Sequence, residues 1–381
     1  MAKKLNVMDA DNMAKKTILF LLNRECTFLP PFMTILDSLC DCYSLKVISY
    51  EKKGGLDNLK KQYYGKDVEF VAQSVQDDSN TITSRIVRRI KRIANLNSAF
   101  HSEALSLIDS TPHDLLWIIH EETLHEFYPA LTDKKYIVCF YELNDHRRNF
   151  LDDMKFALQN AKEVMVPEYN RACILRVWEK LKKTPTVVPN KPLFHPLERN
   201  IPNPYSDQLE GKKIILYQGY IQRSRNIDTV CEAVKDMPDY TVVMMGKGDR
   251  TYIDELKSKY PHIIHISFVT PPNHLYITSY ARIAIVKYDY IVLNAIFCAP
   301  NKTWEYTGFG IPVLCHNIPG LEYTIGRYQA GVCCDMDDKE EVKKAIQQIE
   351  ANYDQYSKNA ILFYNSCDIK QEILAVVERN I

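Results

Sequence analysis

The chain lacks the features that mark several classes of protein. Its formal net charge is zero, from 48 basic and 48 acidic residues among 381, which argues against a dedicated nucleic-acid binder. No apolar run reaches the roughly 20 residues of a membrane-spanning helix. The 11 cysteines show no metal-like spacing, because Cys40/Cys42 and Cys333/Cys334 are too close for a Cys-x-x-Cys site. Cysteines such as Cys315 lie in apolar runs, so we expect buried thiols in a reducing cytosol.

The N-terminus shows no secretory pattern. The apolar stretch Ile18–Leu22 is too short for the core of a signal peptide and is interpreted as the first buried strand. Residues 1–14 are polar and are predicted to form a loose tail. Apolar residues make up 46% of the chain and charged residues 25%, as in ordinary soluble proteins. These observations predict a cytoplasmic protein with enough chain for two domains.

Short apolar runs alternate with helical patterns, which predicts an α/β protein with mostly parallel strands. The predicted strands of the first half lie near 17–22, 45–49, 68–71, 115–119, 136–140, 163–166 and 186–188. The predicted strands of the second half lie near 214–218, 241–245, 263–267, 283–286, 312–315 and 332–333. Helices are predicted near 227–235, 251–259, 302–309, 339–351 and 369–380.

A proline-rich stretch separates the two halves. Five prolines fall between Pro189 and Pro204, which predicts an extended linker, taken as 189–210. The predicted domains are then 1–198 and 211–362, with a terminal helix in 363–381 that packs back on the first domain. A cleft between two such halves is a favoured ligand site.

The segment Asn301–Leu314 is the most informative part of the chain. It places Lys302 and Glu305 in the first turn of a predicted helix, together with Asn301 and Thr303. The lysine and the helix N-terminus suit phosphate oxygens, and the carboxylate suits a pair of ribose hydroxyls. Gly310 is predicted to end this helix in a left-handed conformation before the next buried strand.

Three further turns follow predicted strands of the second half. Gly219–Arg225 contains Arg223 and Arg225, which suit a diphosphate; the alternative is a solvated basic turn. Gly246 opens a Gly-x-Gly turn that is more often a plain tight turn, since a third glycine is missing. The loop Phe268–Asn273, with Val269, either flanks a nucleobase or only connects two elements.

The first half offers weaker candidates. His120–Glu122 and Tyr141–His146 place ionisable groups at strand exits, where Glu142 suits an acid/base role or a sugar hydroxyl; a surface or structural role is the alternative. Isoleucines at 82, 86, 90 and 93 share one face of a basic amphipathic helix. That helix either contacts an anionic membrane or is an ordinary surface helix.

The residues of the second half resemble the nucleotide-binding domain of GT-B glycosyltransferases, specifically glycosyltransferase family 4 (group 1 glycosyl transferases). NKTWEYTGFGIPVL is similar to that family's acidic and Gly-x-Pro-Val signature, and ILYQGYIQRSRNIDTVCEAV and YTVVMMGKGD resemble its first two strand-turn-helix units. AKEVMVPEYNRACIL resembles the segment before the interdomain crossover. The resemblance implies the GT-B architecture: two Rossmann-like domains that face each other across a cleft.

The resemblance also assigns roles. Glu305 matches the carboxylate that holds the ribose, Arg225 the diphosphate-binding lysine, and Tyr220 an arginine whose charge Arg223 is expected to replace. Phe297 stands where many relatives have a second glutamate near the donor sugar, so Lys302 is expected to contribute there.

Another departure lies in the first half. Tyr141–Glu142 stands where many relatives have a His-Glu pair, which leaves the acid/base assignment open.

These patterns predict a glycosyltransferase that moves a sugar from a nucleotide diphosphate sugar to a hydroxyl acceptor. The resemblance implies retention of configuration and no metal or other cofactor, and no convincing Asp-x-Asp is present. The basic helix suggests a lipid-linked saccharide or glycan acceptor at the inner face of the membrane, in surface polysaccharide synthesis. The alternatives are a sugar-nucleotide epimerase of the same fold and a non-catalytic nucleotide-sugar-binding protein.

Overall fold

The computed structural model describes residues 15–52, 54–75 and 100–381, and in them the chain forms two α/β lobes. The predicted basic helix at 82–93 lies outside the described residues. No helix in the described part of the chain combines the length and apolar character that crossing a membrane requires.

The N-terminal lobe is built on a parallel sheet with the order β3-β2-β1-β4-β5-β6-β7. Its strands are β1 Thr17–Leu21, β2 Ser44–Lys52, β3 Val68–Val75, β4 Leu115–Ile119, β5 Tyr136–Cys139, β6 Glu163–Val166 and β7 Thr186–Val187. Side chains of β1 alternate between two cores: Ile18 and Phe20 enter one, and Leu19 and Leu21 the other. Burial on both faces explains why this strand reads as a continuous apolar run.

The C-terminal lobe repeats the arrangement with a parallel sheet in the order β10-β9-β8-β11-β12-β13. Its strands are β8 Lys213–Gln218, β9 Tyr240–Met245, β10 Ile264–Ile266, β11 Ala281–Val286, β12 Val313–His316 and β13 Gly331–Cys334. Ile214 and Leu216 face one core while Ile215 and Tyr217 face the other. In each lobe the strand order reverses beside the first strand, where open α/β sheets form ligand crevices.

Helices cover both faces of each sheet. In the N-terminal lobe they are α1 Pro30–Leu39, α2 Gly55–Gln62, α3 through residues 100–110, α4 Glu121–Phe127, α5 Arg148–Asn160 and α6 Tyr169–Trp178. They continue as α7 Ser206–Leu209, α8 Ile227–Ala233, α9 Arg250–Lys259, α10 His274–Thr278, α11 Leu293–Ile296, α12 Asn301–Thr307, α13 Pro319–Leu321, α14 Lys339–Ala351, α15 Tyr353–Asn365 and α16 Ile369–Asn380. Short 3-10 turns lie at Cys26–Phe28, Tyr128–Ala130 and Arg223–Arg225, and a π-helical turn at Glu322–Gly326.

The terminal helix returns to the first lobe. Ile369, Ile373, Val376 and Val377 of α16 are buried in the same core as β1 and α1. The linker meanwhile contacts the second lobe, because Lys191 Nζ donates to the carbonyls at the end of α15. The chain therefore crosses between the lobes twice.

The predicted α/β architecture with two parallel sheets is confirmed, and several boundaries shift. Strand β2 runs to Lys52, beyond the predicted end at 49, and α11 was not predicted. The helix of the 301–314 segment ends at Thr307 rather than 309, and Gly310 follows in the predicted left-handed conformation, with φ +65°.

Candidate functional site

A cavity of about 1040 Å³ lies between the lobes, at the carboxyl ends of strands from both sheets. Side chains of the first lobe that border it include Phe28, Glu142 and Arg171. The turns after β8, β9, β10 and β11 and the start of α12 form the opposite wall. An open α/β sheet places its ligand at this edge, so the cavity is the first place to look for a substrate.

Lys302 lies on the wall of this cavity with its cation poorly solvated. Its Nζ donates to the carbonyl of Gln218 at 3.1 Å and lies 4.8 Å from the ring of Tyr217 and 5.6 Å from that of Tyr288. Within the described residues it forms no ion pair within 4.0 Å. Burial, and then the nearby charge of Arg225, lower its pKa to about 7. A phosphate at this position would restore the ammonium by supplying the missing counter-charge.

Arg225 is the second cation of this wall. Its guanidinium stacks 4.2 Å above the ring of Tyr288 and donates to the carbonyl of Lys287 at 2.8 Å. Both cations therefore lie beside the ring of Tyr288, and the charge of Arg225 disfavours the charged form of Lys302. Two close cations with no carboxylate partner among the described residues are suited to a dianionic ligand.

Glu305 lies one helical turn from Lys302 and is held by neutral and ring donors. Gln218 Nε2 donates to one of its oxygens in a short hydrogen bond, and His274 Nε2 lies 3.3 Å from the other. Its side chain is only 12% exposed, yet it borders the cavity. Gln218 and His274 therefore fix the orientation of a carboxylate that borders the cavity.

Two glycines let the strand ends approach each other. Gly219 and Gly246 have φ of +134° and +149°, outside the range that L side chains favour. A Cβ on Gly246 would lie 1.9 Å from the carbonyl oxygen of Gly219. Both residues border the cavity, as does Tyr220, which is 62% exposed. Gly246 is thus needed for packing whether or not it contacts a ligand.

The predicted site residues do not all converge. Asn301, Val269, Glu142 and the residues above border the cavity. Arg223 does not: its guanidinium pairs with Glu255 at 2.6 Å on the exposed face of α9. Thr303 is 4% exposed and donates to the carbonyl of Pro300 at 2.8 Å. Its hydroxyl thus bonds the residue that precedes its own helix, and Thr303 does not border the cavity as a contact with the nucleotide would require.

In the first lobe the predicted ionisable groups are largely engaged with one another. Glu121 is 1% exposed and accepts hydrogen bonds from the Tyr141 amide at 3.0 Å and Asn144 Nδ2 at 3.1 Å. Burial raises its pKa to about 7. Burial, followed by the charge of Arg24, lowers the pKa of His120 to about 3, so this imidazole is neutral.

Several residues of the site were not singled out by sequence reasoning. Gln218, Thr278 and His274 orient Glu305, since Thr278 Oγ1 donates to Gln218 Oε1 at 2.7 Å. His195 of the linker braces the same helix from the other side, with Nε2 at 2.8 Å from the Glu305 carbonyl. A polar residue at the end of a predicted strand, such as Gln218, can be recognised in the sequence as a candidate site residue. Nothing in the sequence around His195 of the linker indicates its contact with the Glu305 carbonyl.

A His-Asp-Asp cluster lies at the ends of β12 and β13, away from Lys302. Ligand atoms of His316, Asp335 and Asp337 lie within 4.8 Å of one another. However, the ammonium of Lys287, which is 1% exposed, lies 2.7 Å from Asp337. A cation is therefore already supplied to this cluster by the chain itself.

Comparison with known families identifies the second lobe. Residues 204–362 match the family described as glycosyl transferases group 1. The matched region contains β8 to β13 and both cations of the cavity wall. Residues 204–362 are therefore a group 1 glycosyl transferase domain, and the protein is a glycosyltransferase. No curated protein sequence matches the chain significantly.

Solved structures extend the likeness to both lobes. Sucrose-phosphate synthase from Thermosynechococcus elongatus has a TM-score of 0.68 at 15% identity, over 96% of this chain and 99% of that chain. Anabaena Alr3699/HepE, solved with UDP and glucose, gives 0.68 at 11% identity over the same shares. A putative UDP-N-acetylglucosamine 2-epimerase from Listeria monocytogenes gives 0.64 at 13% identity, over 96% of each chain. These likenesses show the fold, and they confirm the GT-B architecture.

Proposed function

We propose that this glycosyltransferase moves a sugar from a nucleotide diphosphate sugar, with UDP as the first nucleotide to test, to a hydroxyl group. The observation that supports this best is the convergence of Lys302, Arg225 and Glu305 on one wall of the cleft. The two cations suit the diphosphate and the carboxylate suits the ribose hydroxyls. UDP takes priority because a structure of the same fold is described as a complex with UDP and glucose.

In the proposed reaction the acceptor oxygen bonds to the anomeric carbon, and the bond from that carbon to the diphosphate oxygen breaks. The acceptor proton ends on the departing diphosphate. Arg225 and Lys302 stabilise the charge that develops on this leaving group, as fixed cations in a partly desolvated site do. Glu142, on the opposite wall, hydrogen-bonds the acceptor. We further propose that configuration is retained and that no metal takes part.

A screen of nucleotide sugars tests the donor class. Thermal unfolding is measured with UDP-, GDP-, ADP- and dTDP-sugars, since a ligand that binds only the native state raises the melting temperature. We expect UDP-sugars to give the largest shift and chelation with EDTA to leave that shift unchanged. A shift with none of the four classes would contradict the proposal, and a shift lost with EDTA would contradict its metal-free form.

The acceptor is proposed to be a lipid-linked saccharide or another glycan, reached at an anionic membrane surface through residues 82–93. The support is the sequence of that segment, with its basic residues and spaced isoleucines. Sedimentation with vesicles of phosphatidylglycerol and phosphatidylcholine at low salt tests it. Failure to co-sediment would remove the membrane part and leave the donor assignment standing.

Epimerisation is the alternative reaction, since a putative sugar-nucleotide epimerase has the same fold. Incubation with the stabilising nucleotide sugar alone distinguishes the two. An epimerase converts it to a new sugar nucleotide of equal mass, whereas the proposed transferase leaves it intact or slowly hydrolyses it.

A further inference from the structure

The most elaborate contact between the lobes involves the short helix α11, Leu293–Ile296. This helix belongs to the second lobe, lies between β11 and α12, and borders the cavity through Asn294 and Ala295. The first lobe contacts both of its ends. The chain then runs from Phe297 to Lys302 at the start of α12.

Arg171 of α6 holds the carboxyl end of α11. Its Nε donates to the Phe297 carbonyl at 2.7 Å, and one terminal nitrogen donates to the Asn294 carbonyl at 2.9 Å. The other terminal nitrogen donates to the carbonyl of Tyr141 in its own lobe. The side chain is 6% exposed. A guanidinium is suited to this role because its donors have a fixed, planar arrangement.

Asp145 holds the amino end of the same helix. Its two carboxylate oxygens accept hydrogen bonds from the amides of Leu293, at 2.6 Å, and Asn294, at 3.4 Å. A carboxylate at this end and a guanidinium at the other each satisfy backbone groups that a one-turn helix leaves unpaired. Neither contact comes from the lobe to which α11 belongs.

The side chain of Asn294 joins the two lobes between these ends. Its Oδ1 accepts from the Leu143 amide at 2.9 Å, and its Nδ2 donates to Glu142 at 2.5 Å. The segment that supplies these partners is itself anchored, because buried Glu121 accepts from Tyr141 and Asn144. The segment of the first lobe that contacts α11 is therefore itself held in place by Glu121.

We propose that Arg171 and Asp145 are positioning residues for the part of the cleft that α11 borders, acting on this helix from the first lobe. The proposed reaction places the donor sugar there, between the acceptor side at Glu142, which Asn294 contacts, and the diphosphate side at Lys302.

The two positioning residues hold the backbone of Leu293–Phe297 from the other lobe, whereas Lys302 Nζ is held within its own lobe by the Gln218 carbonyl. We call the hydrogen bonds from Arg171 and Asp145 to α11 the clamp. The kinetic consequence of the clamp rests on the proposed function, but the hydrogen bonds themselves are present in the free protein. The nucleotide end, around Glu305, is braced separately by His195, Gln218 and His274.

Hydrogen–deuterium exchange of the free protein tests the clamp without any substrate. In Arg171→Gln we expect the Phe297 amide, which donates to the Leu293 carbonyl, to exchange about tenfold faster, because the carboxyl end of α11 is no longer held from the first lobe and opens more often. Arg171→Lys should be intermediate, because one ammonium cannot span three carbonyls. Arg176→Gln is the matched control: Arg176 lies on the same helix, and its guanidinium donates to Thr184 at the surface.

Asp145→Asn provides a second, milder variant in case Arg171→Gln folds poorly. It keeps the shape of the side chain and removes its charge, and we expect faster exchange at Leu293 and Asn294 only. Exchange that is unchanged over 292–300 in both variants would overturn the clamp. Exchange that rises evenly over the whole chain would also overturn it, since that result indicates general destabilisation.

Kinetics then test the link to the donor sugar. We expect Arg171→Gln to lower kcat by about tenfold, through misplacement of the reacting end, while UDP affinity stays within about twofold. Equal losses of kcat and of UDP affinity would contradict a role confined to the sugar end. If the wild-type protein transfers no sugar, the proposed function fails while the exchange result still decides the clamp.

Discussion

The charged groups around the cavity are engaged differently in the two lobes. In the C-terminal lobe, Lys302 and Arg225 face the cavity without a carboxylate partner among the described residues. In the N-terminal lobe, buried Glu121 accepts from the Tyr141 amide and from Asn144. Buried Arg171 donates to three carbonyls and lies 3.7 Å from Glu142. Charged side chains that border a cavity without an ion-pair partner indicate a ligand-binding role. Charged side chains that are buried and hydrogen-bonded by other protein groups indicate a structural role. On this comparison, the proposed donor site belongs to the C-terminal lobe and its proposed positioning residues belong to the N-terminal lobe.

The largest expected effect concerns packing at the carboxyl ends of β8 and β9, in the sheet of the C-terminal lobe. Gly246→Ala should lower the free energy of unfolding by about 3 kcal/mol or more, since the new Cβ would overlap the Gly219 carbonyl and φ would remain positive. Gly65→Ala in the first lobe, at φ +78° with nothing within 4 Å, should cost only about 1 kcal/mol. Urea denaturation measures both. Equal costs would mean that these strand ends relax easily.

Arg225 and Arg223 should differ sharply in how much each contributes to the rate of sugar transfer. Arg225→Ala should lower kcat/KM by about a hundredfold, as loss of a fixed donor to a leaving group does. Arg223→Ala is the natural control, because Arg223 is paired with Glu255 outside the cavity, and its loss should change kcat/KM by less than about twofold. A large effect of Arg223 would restore the role that the sequence predicted for it and contradict the placement described here.

The ribose carboxylate should matter less than the diphosphate cation. Glu305→Gln keeps the size of the side chain and one acceptor, and should weaken UDP binding by about tenfold. His274→Ala leaves the carboxylate but removes the group that lies 3.3 Å from it, so a smaller loss is expected. An unchanged affinity in Glu305→Gln would place the ribose elsewhere.

The affinity for UDP should also depend on pH. The pKa of Lys302 is about 7, and a phosphate bound beside it would raise that pKa, so binding above about pH 7 requires uptake of a proton. UDP affinity should be level just below about pH 7 and fall by at most about tenfold per pH unit above it. Calorimetry between about pH 7 and about pH 9 measures this, where the terminal phosphate, with a pKa of about 6, stays ionised.

Lys302→Arg is the matched control for that experiment. Its guanidinium stays charged at every pH used, so the slope above neutral pH should disappear. A slope that persists in this variant would mean that another group takes up the proton.

The sequence was informative where function depends on local order along the chain. The buried strands were visible because both faces of each sheet are covered, and Gly310 was visible because a helix end needs a left-handed residue. Lys302 and Glu305 were found together because one helical turn separates them. Residues that meet only in the fold were not found: His195 reaches Glu305 from the linker, and Arg171 reaches α11 from the other lobe.

Two predicted site residues, Arg223 and Thr303, do not border the cavity, for the same kind of reason. Arg223 and Arg225 are equivalent in the sequence, two residues apart in one basic turn, but the 3-10 geometry of Arg223–Arg225 sends one toward Glu255 and the other toward Tyr288. Thr303 was grouped with Lys302 although adjacent helical residues face different directions. Direction around a helix or turn, rather than position along the chain, decides which side chains share a cavity.

The most direct test of the division between the lobes is the affinity for UDP, measured by titration calorimetry in Arg225→Ala and Glu142→Ala. Both side chains border the same cavity, from opposite lobes. We predict that Arg225→Ala weakens UDP binding by at least about tenfold and that Glu142→Ala changes it by less than about twofold. Equal losses, or a larger loss in Glu142→Ala, would contradict the assignment of the nucleotide to the C-terminal lobe.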